Sequence, residues 1–251
     1  MSSKNIVERI NDIYKSLERK KIITKTPNFV YDYHKDYPKL KILEENYETI
    51  RKECEKVLTF HSDITYLEEL MSYTKGGIHA IQWKSFMFKS GVYVKENCEL
   101  CPETTKLIKQ IPGVRTAFFS ILGPDQYITP HKGYYYGFMR YHLGVVIPYN
   151  NEENKCWIRI GKDQIAKAAL PKEGDKYYWK NGEGILFNDN YTHDASNESD
   201  QIRVVLFLDI ERKLPFLMAL FNKLILNIAY SRKEVKDIAK NAAINLQKET
   251  T

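Results

Sequence analysis

His131 and His193 are the two residues of this chain whose type and surroundings best suit a metal-binding site. The chain has six histidines, and three of them fall in a central segment of short apolar runs. His131 comes after residues 127–130 and His193 ends the polar segment 189–193, so each lies beside turn-rich sequence, where side chains converge at the mouth of a β-barrel. Imidazole suits iron, and a metal with few protein ligands keeps positions open for other molecules. Because a loop histidine is more often a surface residue than a ligand, the interpretation depends on the sequence around the pair.

Short apolar runs predict the elements that would position these histidines. The runs cover residues 117–122, 142–147, 156–160, 184–187 and 203–210. The first four stop at glycine, proline or asparagine, and no helical pattern separates them. Short strands in this arrangement are typical of an all-β sandwich or barrel. The segment Trp83–Tyr93 also reads as extended.

Helical patterns occur on both sides of the strand-rich segment. Apolar residues recur at helical spacing over residues 3–22 and 39–58, a third helix begins at Pro102, and helices resume after Pro215. We therefore predict a mainly β protein with flanking helices. Its parts would be a helical N-terminal part (1–82) that packs on the core, a β core (83–213) and a C-terminal helical tail (214–251).

The composition is that of an ordinary soluble protein of 251 residues, with 43% hydrophobic residues and a net charge of +6. The lysines are spread along the chain, so we expect no nucleic-acid partner, and the positive charge favours an anionic partner such as a membrane surface. The N-terminus lacks the apolar core of a secretion signal, which predicts a cytoplasmic location. Cys98 and Cys101 lack two further ligands at zinc-site spacing, so we interpret them as structural thiols.

Several motifs, in one order along residues 83–213, resemble the aspartyl/asparaginyl β-hydroxylase family of iron(II)- and 2-oxoglutarate-dependent dioxygenases. The motifs are Pro-His-Lys-Gly at 130–133, Met-Arg-Tyr-His-Leu-Gly-Val-Val-Ile-Pro at 139–148, Trp-Lys-Asn-Gly-Glu-Gly at 179–184, Phe-Asn-Asp at 187–189, His193, and Arg-Val-Val-Leu-Phe-Leu-Asp at 203–209. The resemblance implies a double-stranded β-helix, which is a kind of jelly roll and agrees with the predicted strands. It also implies an enzyme that uses Fe(II), 2-oxoglutarate and O2.

The same resemblance implies a role for individual residues. His131 and His193 would be the iron ligands, and Arg203 would pair with the distal carboxylate of 2-oxoglutarate, for which a guanidinium fork is well shaped. Ser120 would add a hydroxyl to that carboxylate. His142 would contact the cosubstrate near the metal.

Residues on the same segments are candidates for substrate binding. Arg140 lies two residues before His142 in an extended strand, so both point to one face. Arg140 and Lys132 could grip a substrate carboxylate, and Tyr134 and Tyr136 could line the substrate pocket. The substrate would be a lipid acyl chain, as in the lipid A 2-hydroxylases of the bacterial branch, or an aspartyl/asparaginyl-type amino acid or peptide. The apolar tail at 214–230 would suit peripheral contact with the inner face of a membrane.

Two alternatives stay open. Many related enzymes bind iron with a carboxylate two residues after the first histidine, and here that position is Gly133, as the family implies. The vacant iron position could hold water, or a halide in a halogenase. The chain could also be a non-catalytic jelly-roll binding module, because a fold does not fix a function.

Overall fold

Two antiparallel sheets pack face to face at the centre of the computed structural model, which describes residues 3–70, 82–162 and 173–244. The strands in these ranges are β1 (Phe29–Val30), β2 (Trp83–Ser90), β3 (Val92–Tyr93), β4 (Val114–Leu122), β5 (Gln126–His131), β6 (Phe138–Val146), β7 (Cys156–Ile160), β8 (Asp175–Tyr178), β9 (Gly184–Phe187), β10 (His193–Asn197) and β11 (Arg203–Glu211). The larger sheet has the order β1-β9-β6-β11-β4-β2-β3, and the smaller has the order β5-β10-β7-β8.

Strands β4 to β11 form one long antiparallel ribbon that is wound between the two sheets. β7 pairs with β8, β6 with β9, β5 with β10 and β4 with β11, so each pair encloses the one before it. Successive pairs alternate between the smaller and the larger sheet. This nested pairing is a double-stranded β-helix, which confirms the predicted jelly roll. It also brings residues that are far apart in the sequence onto facing positions of one pair.

Alternation along β11 shows how one strand serves two layers. Val204, Leu206 and Leu208 point to the outer face of the larger sheet and belong to the largest apolar cluster, whereas Arg203 and Phe207 point between the sheets. A second apolar cluster joins the two inner faces, with Val205 of β11 packed among residues of β5, β7 and β10. The site residues therefore project from a backbone held by apolar packing on both sides.

Helices cover the larger sheet. They are α1 (Ser3–Arg19), α2 (Lys41–Glu45), α3 (Tyr47–Leu58), α4 (Leu67–Leu70), α5 (Lys95–Leu100), α6 (Pro102–Lys109), α7 (Phe216–Tyr230) and α8 (Lys233–Asn241). α2, α3 and α6 pack their apolar side chains on the outer face of the sheet. α4 and α8 cover the inner face beside Phe118 and Phe207, where the smaller sheet does not reach.

The elements differ from the sequence-based prediction in several places. The first helix ends at Arg19 rather than at residue 22, and the helix predicted over 39–58 is divided at Asn46, whose side chain donates a hydrogen bond to the Ile42 carbonyl (2.8 Å). Strands β5, β8 and β10 were not predicted. The short strand β1 falls in the part expected to be helical, and it pairs with β9.

The cysteines of the Cys-x-x-Cys motif lie at the junction of α5 and α6. All four cysteines of the chain are free thiols, and burial raises the pKa of both Cys98 and Cys101. Cys101 is fully buried in the cluster beneath α3 and α6. Raised thiol pKa values disfavour the reactive thiolate, which agrees with a structural role.

Candidate metal and cosubstrate site

The two predicted metal ligands lie directly opposite each other on neighbouring strands. His131 ends β5, His193 begins β10, and the two residues are paired in the ladder. Their ring centroids are 4.2 Å apart. The nested ribbon explains this proximity, because β5 and β10 form one of its pairs although 62 residues separate the two histidines in the sequence.

Both rings are held in the same way. Nδ1 of His131 is 2.8 Å from the carbonyl oxygen of Thr129, and Nδ1 of His193 is 2.9 Å from that of Tyr191. Each carbonyl fixes Nδ1 as the protonated nitrogen and leaves Nε2 with its lone pair, which is the usual arrangement of metal-binding histidines. Burial lowers the pKa of His131 to about 4 and that of His193 well below its ordinary value. Both imidazoles are therefore neutral at physiological pH, as metal ligands must be.

A small cavity lies between the sheets, and this pair forms part of its wall. All six of its polar lining residues were singled out from the sequence, and the rest of its wall is apolar. The polar lining residues are Ser120, His131, Arg140, His142, His193 and Arg203, and the apolar ones are Trp83, Ile128, Ile158, Trp179, Phe187, Ala195 and Phe207. The fold thus brings together both proposed iron ligands and all three residues proposed to contact 2-oxoglutarate.

Arg203 is a buried cation without a carboxylate partner among the described residues. Its side chain is 2% exposed, its Nε has no hydrogen-bond partner, and its guanidinium carbon lies 4.7 Å from the centre of the Trp179 ring. Burial lowers the pKa of Arg203 to about 10, and the group that opposes this shift is the Cys156 thiol. The guanidinium remains charged at neutral pH. Among the described residues, Arg203 therefore takes part in no surface ion pair.

Unpartnered polar atoms concentrate on the same cavity wall. Nine buried side-chain atoms in the described part of the chain lack a hydrogen-bond partner, and four of them belong to three lining residues. They are Arg203 Nε, Trp179 Nε1 and both ring nitrogens of His142. Buried polar groups are seldom left unsatisfied, so several at one place indicate a binding site for a polar ligand.

Ser120 lies beside Arg203 on the neighbouring strand. It pairs with Val205 in the ladder of β4 and β11, two residues along from Arg203, so both side chains face the cavity. The Ser120 hydroxyl accepts a hydrogen bond from Trp83 Nε1 (2.9 Å). This contact orients the hydroxyl so that its proton can be donated to a ligand.

Arg140 lines the cavity but is held by two carboxylates. Its Nε donates to Asp209 (2.9 Å), a terminal nitrogen lies 3.0 Å from Asp189, and the guanidinium stacks over Phe207 (4.3 Å). Burial raises the pKa of Asp189 to about 6, against the lowering effect of Arg140. Asp189 and Asp209 were both within the motifs noted in the sequence, but no role was assigned to either.

The space in front of Gly133 is filled by the Asp189 carboxylate. A Cβ atom on residue 133 would lie 2.0 Å from Asp189 Oδ2, far inside any permitted contact. The backbone N–H of Gly133 also donates to the Asp189 carbonyl (2.7 Å). A carboxylate side chain at position 133 is thus excluded by a carboxylate that comes from another segment.

Three residues suggested for substrate binding do not line this cavity. Lys132 is partly exposed, Tyr134 is largely exposed, and Tyr136 is buried in a cluster with residues of α1 and α7. Trp83, Trp179 and Phe207 do line it, although no sequence pattern distinguishes them from the other aromatic residues.

The donor set suits an iron ion with open coordination positions. Among the described residues, no three His, Cys, Asp or Glu side chains come together as a metal site. The protein would therefore offer two neutral imidazoles, in agreement with the pair expected from the sequence. Imidazole is a good ligand for iron, and the adjacent buried cation suits an anionic molecule bound beside the metal.

The wound ribbon and its two-histidine cavity define a jelly-roll protein. Residues 44–213 match the aspartyl/asparaginyl β-hydroxylase family, and the chain belongs to this family.

Three relatives illustrate its range. An ornithine lipid ester-linked acyl 2-hydroxylase from Rhizobium tropici is 31% identical over 196 residues, which cover 78% of this chain and 65% of that protein. The human aspartate beta-hydroxylase domain-containing protein 2 is 30% identical, with 74% of this chain and 47% of that protein covered. Human aspartyl/asparaginyl beta-hydroxylase is 25% identical, with 68% and 21% covered. The chain spans less than two thirds of each relative.

Proposed function

We propose that this protein is an iron(II)- and 2-oxoglutarate-dependent dioxygenase that hydroxylates the acyl chain of a lipid. The observation that carries the proposal is the set of unpartnered buried polar atoms, Arg203 above all, beside two neutral histidines. Bound iron, with 2-oxoglutarate and O2, would supply the oxidation of an unactivated C–H bond to an alcohol, releasing succinate and carbon dioxide.

Each polar side chain discussed above for this cavity would then have a defined role. His131 and His193 hold the metal through Nε2, with both rings fixed by backbone carbonyls. Arg203 would pair with the distal carboxylate of 2-oxoglutarate, and Ser120 would donate its hydroxyl proton to the same group. His142, which is kept neutral by burial and by Arg140 and Arg203, could donate one hydrogen bond and accept another. The apolar walls would exclude water from the reacting centre.

Two observations favour an acyl chain over an acidic amino acid or peptide. Arg140, the candidate grip for a substrate carboxylate, is already engaged by Asp189 and Asp209, so a third carboxylate would meet two like charges. The remaining cavity surface around Phe187 and Phe207 is apolar. The similarity to a lipid acyl 2-hydroxylase supports the same choice.

The other two candidate activities fit the site less well. A halide in the iron position next to Gly133 would lie near the Asp189 carboxylate, which is ion-paired with Arg140 and would repel an anion. A binding module without chemistry would have no use for two histidines fixed in the tautomer that suits a metal. Hydroxylation is the activity that uses all of these features.

Succinate formation tests this proposal directly. The iron-loaded protein is incubated with 2-oxoglutarate and either a bacterial lipid extract or a library of aspartyl and asparaginyl peptides, and products are screened by mass for one added oxygen or one added halogen. We expect His131→Ala to abolish turnover, because one imidazole cannot hold iron in this cavity. His61→Ala is the matched control, since only the backbone carbonyl of His61 has a contact to Lys84 and its ring lies outside the cavity. Undiminished turnover by the His131 variant would refute the assignment of His131 as an iron ligand. Oxygen added to peptides alone would refute the proposal that the substrate is a lipid.

A further inference from the structure

Helix α7 carries six large apolar side chains on the side that faces away from the protein. These side chains, the outer apolar face, are between 42% and 77% exposed and comprise Phe216, Leu217, Leu220, Phe221, Leu224 and Ile228. Their spacing of three or four residues places them in one stripe along the helix. The opposite side of α7 is buried, with Asn222 and Leu226 each 1% exposed. Single exposed apolar residues are ordinary, but a continuous group of this size marks an interaction surface.

Basic residues outnumber acidic ones along this part of the chain, although Lys213 pairs with Asp36 (2.8 Å) and Glu234 follows Lys233. Between Lys213 and Lys233 the chain has four basic residues and no aspartate or glutamate. Lys223 lies within the helix on its exposed side, and Arg232 and Lys233 are exposed just after the helix ends. An apolar stripe with basic residues and no acidic residue is the pattern of a helix that lies in the interface of an anionic membrane.

The length of α7 agrees with a helix that lies along a membrane. Fifteen residues form a helix of about 22 Å, shorter than the roughly 30 Å of a bilayer's hydrocarbon core. No helix in the described part of the chain is long and apolar enough to cross a membrane. The polar residue Asn222 on the buried side also ties this helix to the protein.

Asn222 connects α7 to the segment that follows His131. Its side-chain oxygen accepts hydrogen bonds from the hydroxyls of Tyr14 (3.1 Å) and Tyr135 (2.7 Å), and its amide donates to the Gly137 carbonyl (3.1 Å). Tyr135 and Gly137 belong to the segment between His131 and β6. A binding partner that contacts the outer apolar face would therefore lie close to the segment that connects His131 to β6.

We propose that the outer apolar face of α7 docks on an anionic lipid bilayer and so brings the cavity to acyl chains in that bilayer. The second half of this statement rests on the proposed function, whereas docking on the bilayer can be measured without any turnover. The bilayer is favoured over a second copy of this chain by the exposed Lys223, Arg232 and Lys233, because these groups on two such faces would repel each other.

Vesicle sedimentation tests the docking. The full chain is mixed with phosphatidylcholine vesicles or with vesicles in which a quarter of the lipid is phosphatidylglycerol, and bound protein is measured after centrifugation. We expect strong binding to the anionic vesicles, and a loss of about tenfold for each of Leu220→Gln and Leu224→Gln, since each removes the burial of a half-exposed leucine. Lys223→Glu should weaken binding to the anionic vesicles alone, by about fivefold or more.

Tyr31→Gln is the matched control. Tyr31 is 68% exposed next to β1, which forms the edge of the larger sheet opposite β3. The Tyr31→Gln protein should bind vesicles as the wild type does. If the wild type does not sediment with anionic vesicles, or if Leu220→Gln/Leu224→Gln binds as well as the wild type, the docking proposal is wrong. A wild-type dimer that these two changes dissociate, without vesicle binding, would likewise overturn it in favour of a second copy.

Turnover separates this proposal from the one on which it rests. Hydroxylation of a detergent-solubilised acyl lipid by a protein that does not bind vesicles would refute docking and leave the proposed function standing. Vesicle binding that depends on Leu220 and Leu224, without oxygen added to any lipid, would support docking and refute the proposed function. Succinate formation by Leu220→Gln/Leu224→Gln on the solubilised lipid should equal that of the wild type, because both residues lie outside the cavity.

Discussion

Replacing Arg203 with methionine tests whether this buried cation serves ligand binding rather than the fold. Burial lowers its pKa to about 10, and a fall of that size corresponds to about 3 kcal/mol of unfavourable free energy for the charged group in the ligand-free protein. Methionine removes this cost but loses the cation–π contact with Trp179, worth about 1–2 kcal/mol. We therefore expect the ligand-free variant to be as stable as the wild type or more stable by about 1–2 kcal/mol, which is roughly 2–8 °C in melting temperature.

The ligand-bound protein should respond in the opposite way. At a concentration of 2-oxoglutarate about a hundred times its Kd, the wild type should gain about 2.7 kcal/mol of stability. Losing a buried pair between a guanidinium and a carboxylate costs about 2–5 kcal/mol, which weakens binding by about 30-fold to several thousand-fold. The variant should therefore keep at most about a third of the wild-type thermal shift at that concentration.

Differential scanning fluorimetry with Mn(II) in place of iron measures both effects without turnover. Arg115→Met is the control, because Arg115 pairs with Glu211 outside the cavity (2.7 Å). The Arg115→Met protein should have a lower melting temperature than the wild type, but 2-oxoglutarate should raise that temperature by as much as in the wild type. An Arg203→Met protein that is strongly destabilised without ligand, yet keeps the wild-type shift, would refute the role of this residue in binding.

Two further predictions concern the surroundings of the two-histidine cavity. Gly133→Ala should destabilise the protein by about 1–3 kcal/mol, since its Cβ would lie 2.0 Å from Asp189 Oδ2. The double variant Gly133→Ala/Asp189→Ala should be more stable than the sum of the single effects, and strict additivity in thermal unfolding would contradict the steric explanation. Asn222→Ala should lower the melting temperature by roughly 6–12 °C, because three buried partners lose about 3 kcal/mol of hydrogen bonding. Asn227→Ala, an exposed change on the same helix, should have almost no effect, and equal losses in the two variants would argue against Asn222 as the link.

Apolar runs predicted β4, β6, β9 and β11 of the larger sheet because these strands are buried on both faces. β11 is the clearest case, with one face in the outer cluster and the other toward the smaller sheet. β10 was missed because its sequence, His-Asp-Ala-Ser-Asn, is polar although every residue is buried. Asn197, for example, donates hydrogen bonds to the carbonyls of Leu122, Gly123 and Gln201. Polar side chains satisfied by the backbone leave no apolar pattern to detect.

Strand β5 was missed because it contains a proline. Pro130 lies one residue before the end of that strand and would not be expected inside a sheet, but β5 is an edge strand, where a missing N–H is tolerated. The available signal was the nested spacing: His131 and His193, and likewise Leu122 and Arg203, lie nearly symmetrically about the segment that joins β7 to β8. That symmetry becomes informative only once a jelly roll is assumed.

The family motifs pointed to most of the polar residues that line the cavity, whereas the contacts between those residues were not predictable. Sequence similarity pointed to Gly133 as a missing carboxylate, but only the fold shows that Asp189 fills the space in front of it. Similarly, Arg140 was expected to face a substrate. Its ion pairs with Asp189 and Asp209 form only because the fold brings three separate segments of the chain together. Such long-range contacts leave no local pattern in the sequence.

The three consecutive tyrosines after His131 show that the flanking helices belong to the site. Tyr135 donates to Asn222 of α7, the backbone N–H of Tyr136 donates to the Asn11 side chain of α1, and the Tyr134 carbonyl accepts from the same Asn11. These tyrosines anchor the segment to two helices instead of lining the cavity. Removing residues 214–251 would therefore disturb the segment next to His131 as well as any contact with a membrane. A truncated protein that lost iron and vesicle binding together could not separate the two roles, whereas Leu220→Gln/Leu224→Gln can, because it changes the outer face of α7 and leaves Asn222 in place.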